Sequence, residues 1–135
     1  MRKDRFRFRA WNKVDKTMYT GLPYSGSGKT GSDTFDVVLK HPQIYEVMQC
    51  ADVCDNDGVL VFEGDYLSDG MTLWEVKYSA AHTGLYAIAV AGPRMGTSNV
   101  TFSLWHLCNH HNAGRSVRVV GNIHEYKGPL KNLIN

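Results

Sequence analysis

Polar and apolar residues alternate along Arg5-Phe6-Arg7-Phe8-Arg9-Ala10-Trp11. Successive side chains of a strand leave opposite faces, so this run predicts a half-buried strand. Phe6, Phe8 and Ala10 would face inward and the arginines outward. Asn12 to Lys16 is polar and turn-like, and Thr17-Met18-Tyr19-Thr20 returns as a second strand, making an N-terminal hairpin. Gly21 to Ser32, rich in Gly and Ser, reads as a loop. Phe35-Asp36-Val37-Val38-Leu39 is apolar and β-branched and predicts a further strand, punctuated by His41-Pro42. Ile44 to Cys50 fits either a strand or a short helical turn.

Beyond it, Asp55-Asn56-Asp57-Gly58 is a turn leading into a strand at Val59-Leu60-Val61-Phe62. Glu63-Gly64-Asp65 is a second tight turn before Tyr66-Leu67. Thr72 to Tyr78 alternates again, with Thr72, Trp74, Val76 and Tyr78 on one side. Gly84–Ala91, Asn99–Leu104 and Ser116–Ile123 complete the strand set, and Gly128 to Ile134 is left as a turn or tail. Short strands every 8–12 residues with turn signals between them predict an all-β fold, a small barrel or sandwich with little helix. No internal repeat and no linker interrupt the chain. It reads as a single domain, 1–135, with an N-terminal hairpin lobe (1–50) packed on a barrel-like lobe (51–135) as a finer division.

Composition agrees with a soluble globular domain. The 135 residues are 43% hydrophobic and 21% charged, which excludes a disordered, collagen-like or coiled-coil chain. The longest apolar run, Leu85 to Ala91, is far shorter than the ~20 residues of a membrane span. The basic first residues do not lead into a secretory signal, and three cysteines cannot all pair. A reduced cytoplasmic protein is expected, and on that expectation Asn99-Val100-Thr101 is not a glycosylation site.

Charge changes the picture more than composition does. The formal net charge is +2. Residues 1–16 hold seven basic and two acidic side chains, a local +5, whereas 41–76 holds eight acidic and no Lys or Arg, a local −8. The plainest expectation is that the two regions offset each other in the fold or in an oligomer. The sharper one is that Arg5, Arg7 and Arg9 on one strand face contact phosphates of a nucleic acid.

Several motifs invite chemistry. Gly26-Ser27-Gly28-Lys29-Thr30 resembles a phosphate loop, yet Pro23 stands where the first glycine is needed and no strand or helix flanks it. Asp55-Asn56-Asp57-Gly58 resembles part of a calcium loop, but the alignment puts Val53 and Gly64 at the ligand positions one and twelve. His106, Cys108 and His110 would share one face of a strand, and Cys50 and Cys54 lie upstream, so a zinc site is a candidate. The spacings fit no common zinc module, and a loop with a half-buried cysteine is the simpler reading. No nucleophile elbow, His-Glu-x-x-His or spaced carboxylate pair is present, and Cys108 near a histidine is weak evidence for a thiolate pair.

Three pieces occur in a specific order: Phe8-Arg9-Ala10-Trp11-Asn12 with Met18-Tyr19; Val47-Met48-Gln49 leading to Asp55-Asn56-Asp57-Gly58 and Phe62-Glu63-Gly64-Asp65; and Val120-Gly121-Asn122-Ile123-His124-Glu125. In these the chain resembles the YopX family of bacteriophage and prophage proteins. Members open with a Phe-Arg-Ala-Trp-Asp strand, carry a Met-Gln-Tyr-Thr-Gly-Leu, Asp-x-Asn-Gly, Tyr-Glu-Gly-Asp block, and finish with Ile-Gly-Asn-Ile-Tyr-Glu-Asn. This chain departs at Asn12, at Ala51-Asp52-Val53-Cys54 and at Tyr126-Lys127-Gly128. The resemblance implies a β-rich phage accessory protein in the host cytoplasm, and implies no reaction. Glycines at turns and Trp11 and Phe62 as core anchors make the signature one of scaffold.

The expectation is therefore a non-enzymatic phage or prophage accessory protein that acts by macromolecular interaction, with a host or phage partner and self-association as a homo-oligomer. No cofactor and no membrane partner are expected. A nucleic-acid-binding module built on Arg5, Arg7 and Arg9 is the alternative. A small metalloprotein using Cys108, His106 and His110 ranks below it.

Overall fold

The computed structural model describes residues 7–20, 35–92, 101–109 and 116–134. The chain divides into two compact units, Met1–Cys50 and Ala51–Asn135.

In the first unit β1 (Phe8–Asn12) runs antiparallel to β2 (Thr17–Tyr19) on one side and to β3 (Tyr45–Cys54) on the other, so Ala10 lies opposite both Tyr19 and Val47. The hairpin turn is built by Asn12. Its Oδ1 accepts the N–H groups of Val14 and Asp15 at 2.9 Å each, and its carbonyl accepts that of Lys16. Those bonds satisfy donors that the end of a strand would otherwise leave without a partner. Ala10, Trp11, Val38, Met48 and Cys50 are buried.

Phe35–Lys40 is a short helix, α1, and not the strand its β-branched residues predict. Asp36 in its first turn and Lys40 in its last complement the helix dipole. Val38 is fully buried while Val37 and Leu39 are exposed. Strand preference is a weak, context-dependent tendency that tertiary placement overrides. The ambiguous stretch after it is the strand β3.

In the second unit β3 pairs with β4 (Leu60–Phe62) across the Asp55–Val59 turn. A five-stranded antiparallel sheet follows in the order β8-β7-β6-β5-β9. Its strands are β5 (Asp65–Ser68), β6 (Leu73–Ser79), β7 (Gly84–Ala91), β8 (Thr101–Ser103) and β9 (Arg118–Asn122). Register shifts between Tyr66 and Leu67 on β5 and between Leu73 and Trp74 on β6 add local twist, and the sheet curls into a half barrel. Trp74, Val76, Ala87, Ala89 and Leu67 face the core, where Val53, Val61 and Val117 join them. The ring of Phe102 meets that of Trp74 edge-on at 6.1 Å.

Leu104–Asn109 is a second short helix, α2. The predicted strand to Leu104 stops at Ser103, and Leu104, Leu107 and Cys108 enter the core from one helical face. The tail forms a 3-10 helix at Leu130–Leu133 that packs on β6 and β7. The fold is all-β with two short helices, as the alternating pattern predicts.

Candidate functional site

The basic N-terminal strand does not present its arginines as one row. Arg7 is exposed, but Arg9 is only 8% exposed, next to Ala10 at 0%. The face that alternation assigned to solvent at Arg9 is therefore covered in the fold. Arg5 lies outside the described residues. The loop Gly21–Ser32 with its Gly26–Thr30 motif, His110 and the Asn99 sequon lie outside them as well.

The proposed metal-ligand face changes geometry. His106 and Cys108 sit on α2, where neighbours two apart point to different sides, and not on a strand. Cys108 is buried in the core and His106 is exposed. Among the described residues no group of three or more His, Cys, Asp and Glu could hold a metal ion. The spacing Leu104-x-x-Leu107-Cys108 is the helical signal that marks this segment in the sequence. Burial, the Asp55 carboxylate and the nearby Cys54 push the Cys108 thiol up to about 11. A thiol so raised is protonated at neutral pH and a poor nucleophile.

The signature residues build turns. Asp55 Oδ1 accepts the N–H groups of Asp57 and Val59, and its Oδ2 accepts that of Val119 on β9. Asn56 adds two bonds to Val117, one through its Oδ1 at 2.6 Å and one through its backbone N–H at 3.0 Å. Asp57 pairs with Arg118 at 3.3 Å. The turn therefore closes the outer edge of β9, where free N–H groups would otherwise invite another strand. Asp65, 1% exposed, accepts the Phe62 N–H at 2.7 Å across a turn in which Gly64 takes φ 90°. Asn122 repeats the arrangement of Asn12: its Oδ1 accepts the N–H groups of His124 and Glu125, and its amide donates to Glu125 at 2.6 Å.

This alters the meaning of the acidic middle. Asp55, Asp65 and Asp69 accept backbone N–H groups, and Asp57 holds Arg118. Glu75 is half-buried, and burial raises its carboxyl above the usual value despite Lys77. Much of the negative run is thus internal construction of the second unit.

One surface feature had no polar-pattern signal. On α2 the side chains of Leu104, Leu107 and Cys108 point inward, which leaves Trp105 57% exposed beside the exposed His106. Among the described residues no helix is long and apolar enough to cross a membrane.

Comparison with known proteins gives a solved structure and a family model, which differ in weight. The crystal structure of protein EF1440 from Enterococcus faecalis is similar with a TM-score of 0.45 and 24% identity, over 88% of this chain and 93% of that one. No curated protein matches the chain. The family YopX protein matches over residues 7–130, which takes in all three signature pieces and the turns they build, and the chain belongs to the YopX family.

Proposed function

We propose that this chain is a non-catalytic interaction protein of bacteriophage or prophage origin, acting in the host cytoplasm on a host or phage protein. The setting rests on the family membership. The observation that carries the interaction reading is Trp105, a tryptophan 57% exposed on a helix whose other face is anchored in the core. Tryptophan on a rigid element is the residue type most enriched among interface hot spots. The turn-locking role of the signature residues supports a scaffold that presents such a surface without rearranging. The burial and raised thiol of Cys108 support leaving that residue out of a nucleophilic role.

The test is quantitative capture from host cells after prophage induction, comparing the native chain with Trp105→Ala. One protein should be retained by the native chain and bound about thirtyfold more weakly by the variant, the loss a hot spot of about 2 kcal/mol implies. Equal capture by both, or nothing above a tag control, overturns the reading. Material released by nuclease or by salt alone would instead favour nucleic acid.

A further inference from the structure

On the five-stranded sheet Gly121 lies opposite Tyr66, Tyr66 opposite Glu75, and Glu75 opposite Ile88. Directly opposed residues share a face, so these four make one row across β9, β5, β6 and β7. Their strand neighbours Leu67, Trp74, Val76, Ala87 and Ala89 face the core, and the row therefore points away from it. The tail lies over this outer row. Its 3-10 helix, Leu130–Leu133, packs on β6 and β7, and Leu133 rests against Gly121. A Cβ at Gly121 would stand 3.6 Å from Leu133 Cδ1, so a branched side chain there would compete with Leu133 for the same space. Tyr66 is 8% exposed, and Glu75 is half-buried.

The tail is fastened lightly. At its start Tyr126 Oη donates to the Pro129 carbonyl at 2.7 Å, and at its end Ser68 Oγ donates to the Ile134 carbonyl. Between these clasps the 3-10 helix has no side-chain cap, and none of its residues is buried. Its own backbone bonds run from the Asn132 N–H to Pro129 and from the Ile134 N–H to Lys131. They are internal to the tail, so it can lift away with them intact and leave the strand ladders whole. A segment with so little buried apolar contact opens at a free energy well below that of the whole fold. Lifting it has consequences for the sheet. The outer row loses its cover, and a cleft of about 310 Å³ beside Ser68 and Arg118 loses Ile134 from its lining.

We propose that residues 129–134 are a displaceable strap, which lifts as one unit while the sheet stays folded and switches the Gly121–Tyr66–Glu75–Ile88 row between covered and open. Any partner for that face has first to displace the strap. The device is independent of the Trp105 surface, because α2 is anchored through Leu104, Leu107 and Cys108 in the core on the other face of the sheet.

Amide hydrogen exchange of the full chain, resolved by NMR, tests this. Asn132 and Ile134 should share one opening constant, about a hundredfold or more above that of the central strands β6 and β7. Leu133→Ala removes the side chain that rests on Gly121, and Gly121→Val fills the same space from the sheet. Each should speed exchange of both tail amides together by about tenfold and shift the amide signals of Tyr66, Glu75 and Ile88, with exchange in β6 and β7 unchanged. Leu133→Ala alters no residue of the sheet and keeps the test decisive should Gly121→Val fail to fold. Tail amides that exchange as slowly as β6 and β7 would overturn the proposal. So would Asn132 and Ile134 loosening separately, which is residue-by-residue fraying, or variants that leave the signals of the outer row in place.

Discussion

Asp55, on the turn between β3 and β4, accepts the backbone N–H of Val119 on β9 at 2.9 Å, across a separation of 64 residues. One carboxylate thereby shapes its own turn and fastens the last strand of the sheet. The side chain is buried, so removing it leaves three N–H groups in need of partners.

Asp55→Ala should therefore cost roughly 3 kcal/mol, and Asp55→Asn less, because an amide oxygen still serves the two bonds within the turn. Urea unfolding measures this as a lowered midpoint with unchanged slope. A loss under about 0.5 kcal/mol for the alanine variant would show that the bonds are replaced by water.

The glycines make a paired comparison. Gly58 takes φ +83° with open space around it, so Gly58→Ala should cost about 1–2 kcal/mol from backbone conformation alone. Gly92 takes φ +117°, and an added Cβ would lie 2.5 Å from the Met71 carbonyl oxygen. Gly92→Ala should be the more damaging of the two, and thermal melts of both variants decide it.

Thiol reactivity should separate the three cysteines. Cys54 is half-buried, whereas Cys50 and Cys108 are buried. With its pKa pushed from 9.0 to about 11, Cys108 holds about a hundredfold less thiolate than an ordinary thiol at neutral pH. Ellman's reagent should modify Cys54 in the native protein and reach Cys50 and Cys108 only on unfolding. Native labelling of Cys108 as fast as Cys54 would contradict the burial.

Glu75 gives a pH dependence whose sign follows from its raised carboxyl. The protonated form is favoured in the fold, so its contribution is full below the ordinary value of 4.5 and is lost as pH rises through the higher folded value. Glu75→Gln should then melt above the native chain at pH 7, and the difference should close towards pH 4. A difference that grows on acidification would reverse the assignment.

Much of this architecture is legible in the residues. The alternation around Trp74 and the apolar run from Leu85 to Ala91 are strands β6 and β7, and Asp55–Gly58 and Glu63–Asp65 are turns. Phe35–Lys40 was less legible, because a six-residue segment with four apolar side chains satisfies a strand or a helix until its neighbours are known. The candidate ligands His106 and Cys108 were misplaced for the same reason: a strand of three residues gives way to a helix at Leu104.

The sequence by itself determined the all-β class, the positions of most turns and the family, since side-chain period and turn chemistry are local properties of the backbone. Only the tertiary structure decided that Arg9 is buried while Arg7 is not, that Asp55, Asp65 and Asp69 of the acidic middle accept backbone N–H groups, and that Ser68 and Arg118 meet beside one cleft. Those outcomes depend on which distant strands become neighbours, and burial and hydrogen-bond partners exist only after that choice is made.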